Sequence, residues 1–424
     1  MKLKKLILTN FRCYEKFEIE FDKRLNVIVA ENGGGKTTIL DAIAIAYGAM
    51  LTRFPKVKGK TFENSDLRLD FNNKLVPYMR VDVETYNGLS WDRTQARNQT
   101  KATKKLIPEA KGLSQLYNYV DEIVDKEYSK VEEKYEIPLI MYYGTNRTVL
   151  QTPMRKRNFK KEFSRYEALS GAIEPYTNFS RLFQWFDAMR NEEQYQITQR
   201  RDFDYKLPEL EAVRDALNII LPQMKNPRIE TRPLRFVVDK IIDNRKVTFR
   251  IDQLSDGYKI VLSMVMDISA RMAEANPHLE NPNNSEALIM IDELDLHLHP
   301  RWQQTILTDL QKAFPHAQFI VTTHSPQVLT TVSKQHIKII TFDEALEPEI
   351  SPLARESADA LAYIMDTNVK PPLNILDDIH RYEQLVKRGE IESSKAKDIK
   401  KLFDKIGYEI PRQDLELWQF LAGR

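Results

Sequence analysis

Residues 30–37, Ala30-Glu31-Asn32-Gly33-Gly34-Gly35-Lys36-Thr37, form a glycine-rich loop between two apolar runs of different character. The run before it, Leu25-Asn26-Val27-Ile28-Val29, has the β-branched composition of a buried parallel strand, and Thr38-Ile39-Leu40-Asp41-Ala42-Ile43-Ala44 after it reads as a helix. Strand, glycine loop and helix in that order point to an α/β fold and a phosphate-binding loop. Consecutive glycines let the backbone curl so that its N–H groups converge on the β- and γ-phosphates, and the helix start adds its positive dipole end. The expected ATP contacts are Asn32, Gly33, Gly34, Gly35, Lys36, Thr37 and Thr38; Lys36 supplies charge, and the Thr37 hydroxyl is offered to Mg²⁺. Ala30 stands where such loops usually have their first glycine, and it is small enough to be tolerated there.

Three further segments follow in order. Leu254-Ser255-Asp256-Gly257-Tyr258 precedes the helical spacing of Ile260, Val261, Met264, Val265, Ile268 and Met272, so Ser255 and Gly257 fall at a helix N-terminus, which suits an anion. Alone, that pattern is an ordinary N-cap. Ala287-Leu288-Ile289-Met290-Ile291-Asp292-Glu293 is a buried strand ending in two carboxylates, with Asp292 placed for the Mg²⁺ shell and Glu293 for the proton of an attacking water. Phe319-Ile320-Val321-Thr322-Thr323-His324 is another strand, separated from the last by a helix through Trp302, Ile306, Leu307, Leu310 and Phe314. Its terminal His324 is the candidate γ-phosphate sensor and second catalytic residue.

Together the four segments resemble the nucleotide-binding heads of the ABC ATPase superfamily, in the branch of chromosome-maintenance and RecF-like proteins. Leu6-Ile7-Leu8-Thr9-Asn10-Phe11-Arg12 looks like that branch's first strand and turn, and Asp292-Glu293-Leu294-Asp295-Leu296-His297-Leu298-His299-Pro300 looks like its AAA_21-type members; transporter heads lack both. Tyr142-Tyr143-Gly144-Thr145-Asn146-Arg147 is similar to a segment of the ATPases of Septu-type and retron-associated antiphage systems. The resemblance implies that one chain's Lys36, Asp292 and Glu293 meet another's Ser255 and Gly257 around shared ATP, so that a homodimer or larger assembly forms with nucleotide. It also implies a glutamine touching Mg²⁺ after a central strand. Here Pro138–Tyr143 is that strand, Gln151 is the nearest glutamine and Asn146 the alternative, while Arg147 serves either the nucleotide, a partner subunit or only the solvent.

His297 and His299 lie near acidic residues, but a structural zinc site wants four ligands and the single cysteine, Cys13, is far away in sequence. One cysteine permits no internal disulfide, no apolar run approaches a membrane span of about 18 residues, and the basic start followed only by Leu6-Ile7-Leu8 is too weak for a signal peptide; the expected compartment is the cytoplasm. Lys and Arg number 63 against 61 Asp and Glu, a net charge of +2 that does not announce nucleic acid. Locally, residues 155–165 carry six basic side chains against one acidic, and Arg155, Lys156, Arg157, Lys160 and Lys161 are candidate DNA-phosphate contacts. A looser stretch runs through Arg93, Arg97, Lys101, Lys104 and Lys105. Basic runs are more often solvated helix faces than binding sites.

The expected organisation is an α/β head over 1–350 with a mostly parallel central sheet and an N-terminal antiparallel sheet. Helical insertions are expected at 105–135 and 170–240, and a helical C-terminal tail over 351–424. More than half the chain separates Lys36 from Ser255, yet it holds no sustained heptad repeat, so no long coiled-coil arm is expected. The tail holds no Asp-x-Asp of a nuclease module, no His-Asn-His arrangement and too little chain for a second catalytic domain, so cutting of nucleic acid would fall to a partner, expected to be an HNH-type nuclease. Three functional classes compete: the sensor ATPase of a defence complex, a RecF-like repair or recombination clamp on DNA, and a transporter's ATPase subunit. The last is the weakest, since its heads hold loop and signature closer together and need a membrane partner.

Overall fold

The computed structural model describes residues 1–129, 134–145, 163–175 and 179–423, with Phe179 by its backbone alone. Asn146, Arg147, Gln151 and the basic residues Arg155, Lys156, Arg157, Lys160 and Lys161 lie outside the described residues. The chain divides into two units, Met1–Met365 and Asp366–Arg424.

Along the first unit the elements are β1 (Leu3–Phe11), β2 (Tyr14–Glu20), β3 (Leu25–Val29), α1 (Lys36–Leu51), β4 (Tyr78–Thr85), β5 (Ser90–Ala96), α2 (Lys101–Lys105), α3 (Ser114–Tyr128), β6 (Leu139–Tyr143), α4 (Phe179–Arg200) and α5 (Pro208–Ile220). They continue with β7 (Met224–Thr231), β8 (Leu234–Ile242), β9 (Arg245–Arg250), α6 (Asp256–Ala275), β10 (Ala287–Ile291), α7 (Pro300–Gln303), α8 (Ile306–Ala313), β11 (Gln318–Thr322), α9 (Pro326–Leu329), β12 (Ile337–Ile340), β13 (Ala345–Leu346) and α10 (Ser357–Tyr363). The second unit holds α11 (Ile375–Lys387), α12 (Ser394–Ile406) and α13 (Arg412–Ala422).

The central sheet runs β13-β12-β3-β11-β10-β6. Five of these strands are parallel and β13 alone is antiparallel. Every residue of β3, β6, β10 and β11 is buried, which is why their sequences are mostly apolar rather than alternating; the polar exceptions Asn26, Gln318 and Thr322 are hydrogen-bonded. Because the strands are parallel, their C-terminal ends share one edge of the sheet, the usual place for a ligand in α/β folds. The loops after β3, β6, β10 and β11 therefore meet. A separate antiparallel sheet, ordered β2-β1-β4-β5, packs on α1: the buried Trp91 ring stands edge-on to Tyr47, and its indole N–H donates to the Ala46 carbonyl at 3.1 Å.

Two differences from the sequence reading stand out. The insertion over 170–240 is helical only through α5; from Met224 it becomes the antiparallel sheet β7-β8-β9. One face of that sheet sets Phe236 against Phe183 and Phe186 of α4. The first unit also extends past the expected boundary at 350, taking in α10, whose Ala360 is fully buried. The second unit has a small core of its own around Ile379, Tyr382, Val386, Phe403 and Trp418. Gly389 and Gly407, with φ of +73° and +71°, follow α11 and α12 in the left-handed conformation that ends a helix. Among the described residues no helix is long and apolar enough to cross a membrane.

Candidate active site

The phosphate loop links β3 to α1 through backbone conformations that side chains resist. Gly33 and Gly35 have φ of +79° and +86°. A Cβ on Gly35 would lie 2.1 Å from the Tyr14 hydroxyl, and that hydroxyl donates to the Gly34 carbonyl at 3.2 Å, so β2 props the loop from below. Gly34 explains the tolerance of Ala30: a Cβ there would stand 2.9 Å from the Ala30 methyl. Two small residues face each other, and only one of them can carry a side chain. Asn32 is exposed on the loop, and Thr38 is buried with its hydroxyl beside the Cys13 thiol.

Lys36 opens α1 and its ammonium donates to the carbonyls of Ala30 at 2.7 Å and Glu31 at 3.0 Å. Burial lowers its pKa, while Asp292, Glu293 and Asp295 act in the opposite sense. The carboxylates are positioned by the neighbouring strand. Asp292, 1 % exposed, accepts from Thr37 Oγ1 at 2.8 Å through one oxygen and from Thr322 Oγ1 at 2.6 Å through the other. Its backbone N–H donates to the Tyr143 carbonyl at 2.8 Å. A carboxylate this deep is tolerable because its oxygens are bonded. Thr322 Oγ1 also accepts from the Glu293 N–H at 2.7 Å. Glu293 itself holds φ of 46°, a left-handed conformation that turns the chain sharply at the end of β10. His324 follows β11, half-buried, with its backbone N–H donating to Asp295 Oδ1 at 3.2 Å. Thr323 Oγ1 donates to the same oxygen at 2.6 Å.

Thr37 and Asp292 present hard oxygens to one point, the donor chemistry Mg²⁺ takes. Their 2.8 Å separation is close to the ~3 Å edge of an octahedron with ~2.1 Å bonds, so the pair fits the ion. Both also line a cavity of about 250 Å³ together with Arg12, Asp41, Lys60, Asp66, Tyr142 and Gly144. Sequence reasoning assigned no role to these six. Arg12 bridges Asp41 at 2.7 Å and Asp66 at 2.8 Å, and Lys60 reaches Asp41 at 2.5 Å. Asp41 lies one helical turn beyond Thr37, and Tyr142 and Gly144 at the end of β6 enter the sequence reading only as part of a family resemblance; Arg12, Lys60 and Asp66 come from turns and loops that only the fold brings near.

Ser255 is the exposed N-cap of α6 and its hydroxyl makes no capping bond. Gly257 is buried against the loop after β10: a Cβ there would stand 2.5 Å from the His297 carbonyl oxygen. Beside it, the Tyr258 and Trp302 rings meet edge to face with centroids 4.4 Å apart. His297 thus acts through its backbone, with φ of 64°, and His299 caps α7 by accepting from the Arg301 N–H. Among the described residues no group of three His, Cys, Asp or Glu side chains is placed to hold a metal. Of the looser basic stretch, Arg93 points inward to the carbonyls of Ile45 and Lys60 and is part of the scaffold.

The AAA-domain family profile matches residues 5–225, and a second AAA-domain profile, whose description adds a proposed AbiEii toxin of a type IV TA system, matches 144–330. Among curated proteins the chain is 28% identical to the Retron Vc95 probable ATPase of Vibrio cholerae serotype O1 biovar El Tor, covering 95% of this chain and 86% of that one. It is 25% identical to the Retron Ec83 probable ATPase of Escherichia coli, covering 86% and 76%. To the Septu protein PtuA of Bacillus mycoides strain KBAB4 it is 24% identical, covering 95% of this chain and 50% of that one.

Proposed function

The chain belongs to the AAA-domain family, and we propose that it is an ATP-binding and hydrolysing head that dimerises around ATP and so regulates a partner nuclease, of HNH type, in a cytoplasmic antiphage defence complex. The observation that carries the ATPase reading is the Thr37–Asp292 contact, which joins the phosphate loop to the carboxylate strand across 255 residues of sequence. Retron and Septu relatives support the defence setting.

In this reading the N–H groups of 33–37 and the Lys36 ammonium bind the β- and γ-phosphates, with Asn32 and Thr38 flanking them. Thr37 and Asp292 hold Mg²⁺, which neutralises phosphate charge when bound. A water attacks the γ-phosphorus in line, Glu293 accepts its proton, and the bond to the β,γ-bridging oxygen breaks with ADP as leaving group. His324 faces the γ-phosphate from the adjacent strand. Ser255 and Gly257 of a second copy complete the site, so binding clamps two heads and hydrolysis frees them. Arg155, Lys156, Arg157, Lys160 and Lys161 contact duplex DNA phosphates. The test is Glu293→Gln: ATP binding is retained, phosphate release stops, and light scattering shows an ATP-trapped assembly. Parental hydrolysis by that variant would remove Glu293 as the base.

A further inference from the structure

Three buried polar side chains tie the carboxylate strand to the helix that begins at Ser255, and neither phosphate binding nor water activation uses them. Tyr143 ends β6 beside Asp292, whose N–H donates to the Tyr143 carbonyl at 2.8 Å. The Tyr143 hydroxyl donates to Asp267 Oδ2 of α6 at 2.9 Å. Arg271, one turn further along α6, donates from Nε to the same oxygen at 2.8 Å, and its other end donates to the carbonyls of Ala168 at 2.6 Å and Ser170 at 3.0 Å. Tyr143, Asp267 and Arg271 are each no more than 3 % exposed.

Stability alone does not require such a trio. A buried ion pair is generally no better than well-packed apolar residues of the same volume, but its directional bonds fix one orientation of the elements it joins. Leverage shows why orientation matters here. Asp267 lies about 18 Å from Ser255 along α6 at ~1.5 Å per residue, so a tilt of about 5° at Asp267 displaces Ser255 by roughly 1.6 Å. Misplacement of a reacting or binding group by about 1 Å costs on the order of 100-fold. At its start α6 is seated on the His297 carbonyl through Gly257, on the loop that follows the same two carboxylates. The helix is held to the β10 layer at both places.

We infer that Tyr143, Asp267 and Arg271 are positioning residues that lock the Ser255 end of α6 to the Asp292–Glu293 strand, so that the state of a chain's own site sets the angle at which it offers Ser255 to a second copy. This rests on the head-to-head reading above. The trio touches neither nucleotide nor water, and it acts only through the elements it joins.

The test uses the full chain with ATP and Mg²⁺. Tyr143→Phe keeps the ring and removes the bond to Asp267; it is made in the parental chain and in the Glu293→Gln background. Expected are ATP affinity of dilute chain within about 3-fold of parental, turnover at saturating ATP at least 10-fold lower, and ATP-dependent self-association of the Glu293→Gln form at least 10-fold weaker. Asp267→Asn, which keeps an acceptor for both partners, gives a smaller loss in the same direction and serves alone should the phenylalanine variant not fold. A role in folding alone would lower the folded fraction but leave turnover per folded molecule parental, which overturns the inference, as does parental self-association of a folded Tyr143→Phe protein. Failure of Glu293→Gln itself to associate with ATP overturns the head-to-head reading, and the inference with it.

Discussion

Thr322→Val is the sharpest probe of the site, because one hydroxyl serves both carboxylates. In the parent that oxygen donates to Asp292 at 2.6 Å and accepts from the Glu293 N–H at 2.7 Å. Valine has the same shape, so packing in the fully buried β11 position is preserved and only the two bonds are lost. A hydrogen bond to a charged group contributes about 1.5–3 kcal/mol, and an amide N–H left without its acceptor costs about 1–3 kcal/mol. Glu293 is half-buried, so water recovers part of the second figure, and the added methyl returns about 0.8 kcal/mol. The net loss in stability is about 2–3 kcal/mol. The larger effect falls on chemistry. Glu293 keeps its φ of 46° at a cost on the order of 1–3 kcal/mol, and the Thr322 bond is what holds its N–H in that turn. Released, the peptide relaxes and carries the Glu293 carboxylate with it, so turnover falls about 100-fold. Lys36 and the loop N–H groups do not touch Thr322, so ATP affinity measured without Mg²⁺ stays within about 3-fold. Phosphate release read beside binding of a fluorescent ATP analogue separates the two, and Thr322→Ser, which restores the hydroxyl, should recover most of the rate. Parental turnover in Thr322→Val, or affinity falling in step with turnover, would refute the reasoning.

A second expectation concerns pH. Burial pushes the Glu274 carboxyl up to about 7, despite the Arg181 guanidinium bonded to it and Arg271 nearby, from an ordinary value of 4.5. Between those values the folded chain holds a proton the unfolded one has released, so stability falls as pH rises through about 4.5 to 7, by about 3 kcal/mol, and is level above. Glu274→Gln should flatten that slope in urea unfolding; identical slopes would show that Glu274 does not titrate there. For the basic run, alanine at Arg155, Lys156, Arg157, Lys160 and Lys161 should weaken duplex binding and reduce the salt slope by about 0.9 for each phosphate that is no longer neutralised. Slopes that coincide return the run to a solvated face.

What sequence could reveal follows from range. The phosphate loop, the two-carboxylate strand and the strand before His324 are local patterns, and each element fell within a residue or two of its reading. Thr322 was read only as a strand residue, since nothing nearby signals that its hydroxyl reaches Asp292 on the next strand. Arg12, Asp41, Lys60 and Asp66 meet through loops whose course depends on the antiparallel sheet packing on α1, and no spacing rule foresees that. The β7–β9 sheet was missed for another reason. Asn226, at φ of 52°, and Pro227 interrupt β7 with a register shift, which breaks the alternation that marks a strand.

Strand β3 has β11 on one side and β12 on the other, and both arrive from residues beyond 317. A ribosome adding about 5–20 residues per second therefore exposes Leu25–Val29 for roughly 15–60 seconds before either neighbour exists. Throughout that interval the segment is a short apolar β-former with both edges open, the kind of sequence that pairs wrongly with other chains. The phosphate loop that follows has no carboxylate to meet until β10 and β11 are made. Nucleotide binding at a finished site is thus closed to a nascent or truncated chain, and the head gains that capacity only when β11 has paired with both β3 and β10.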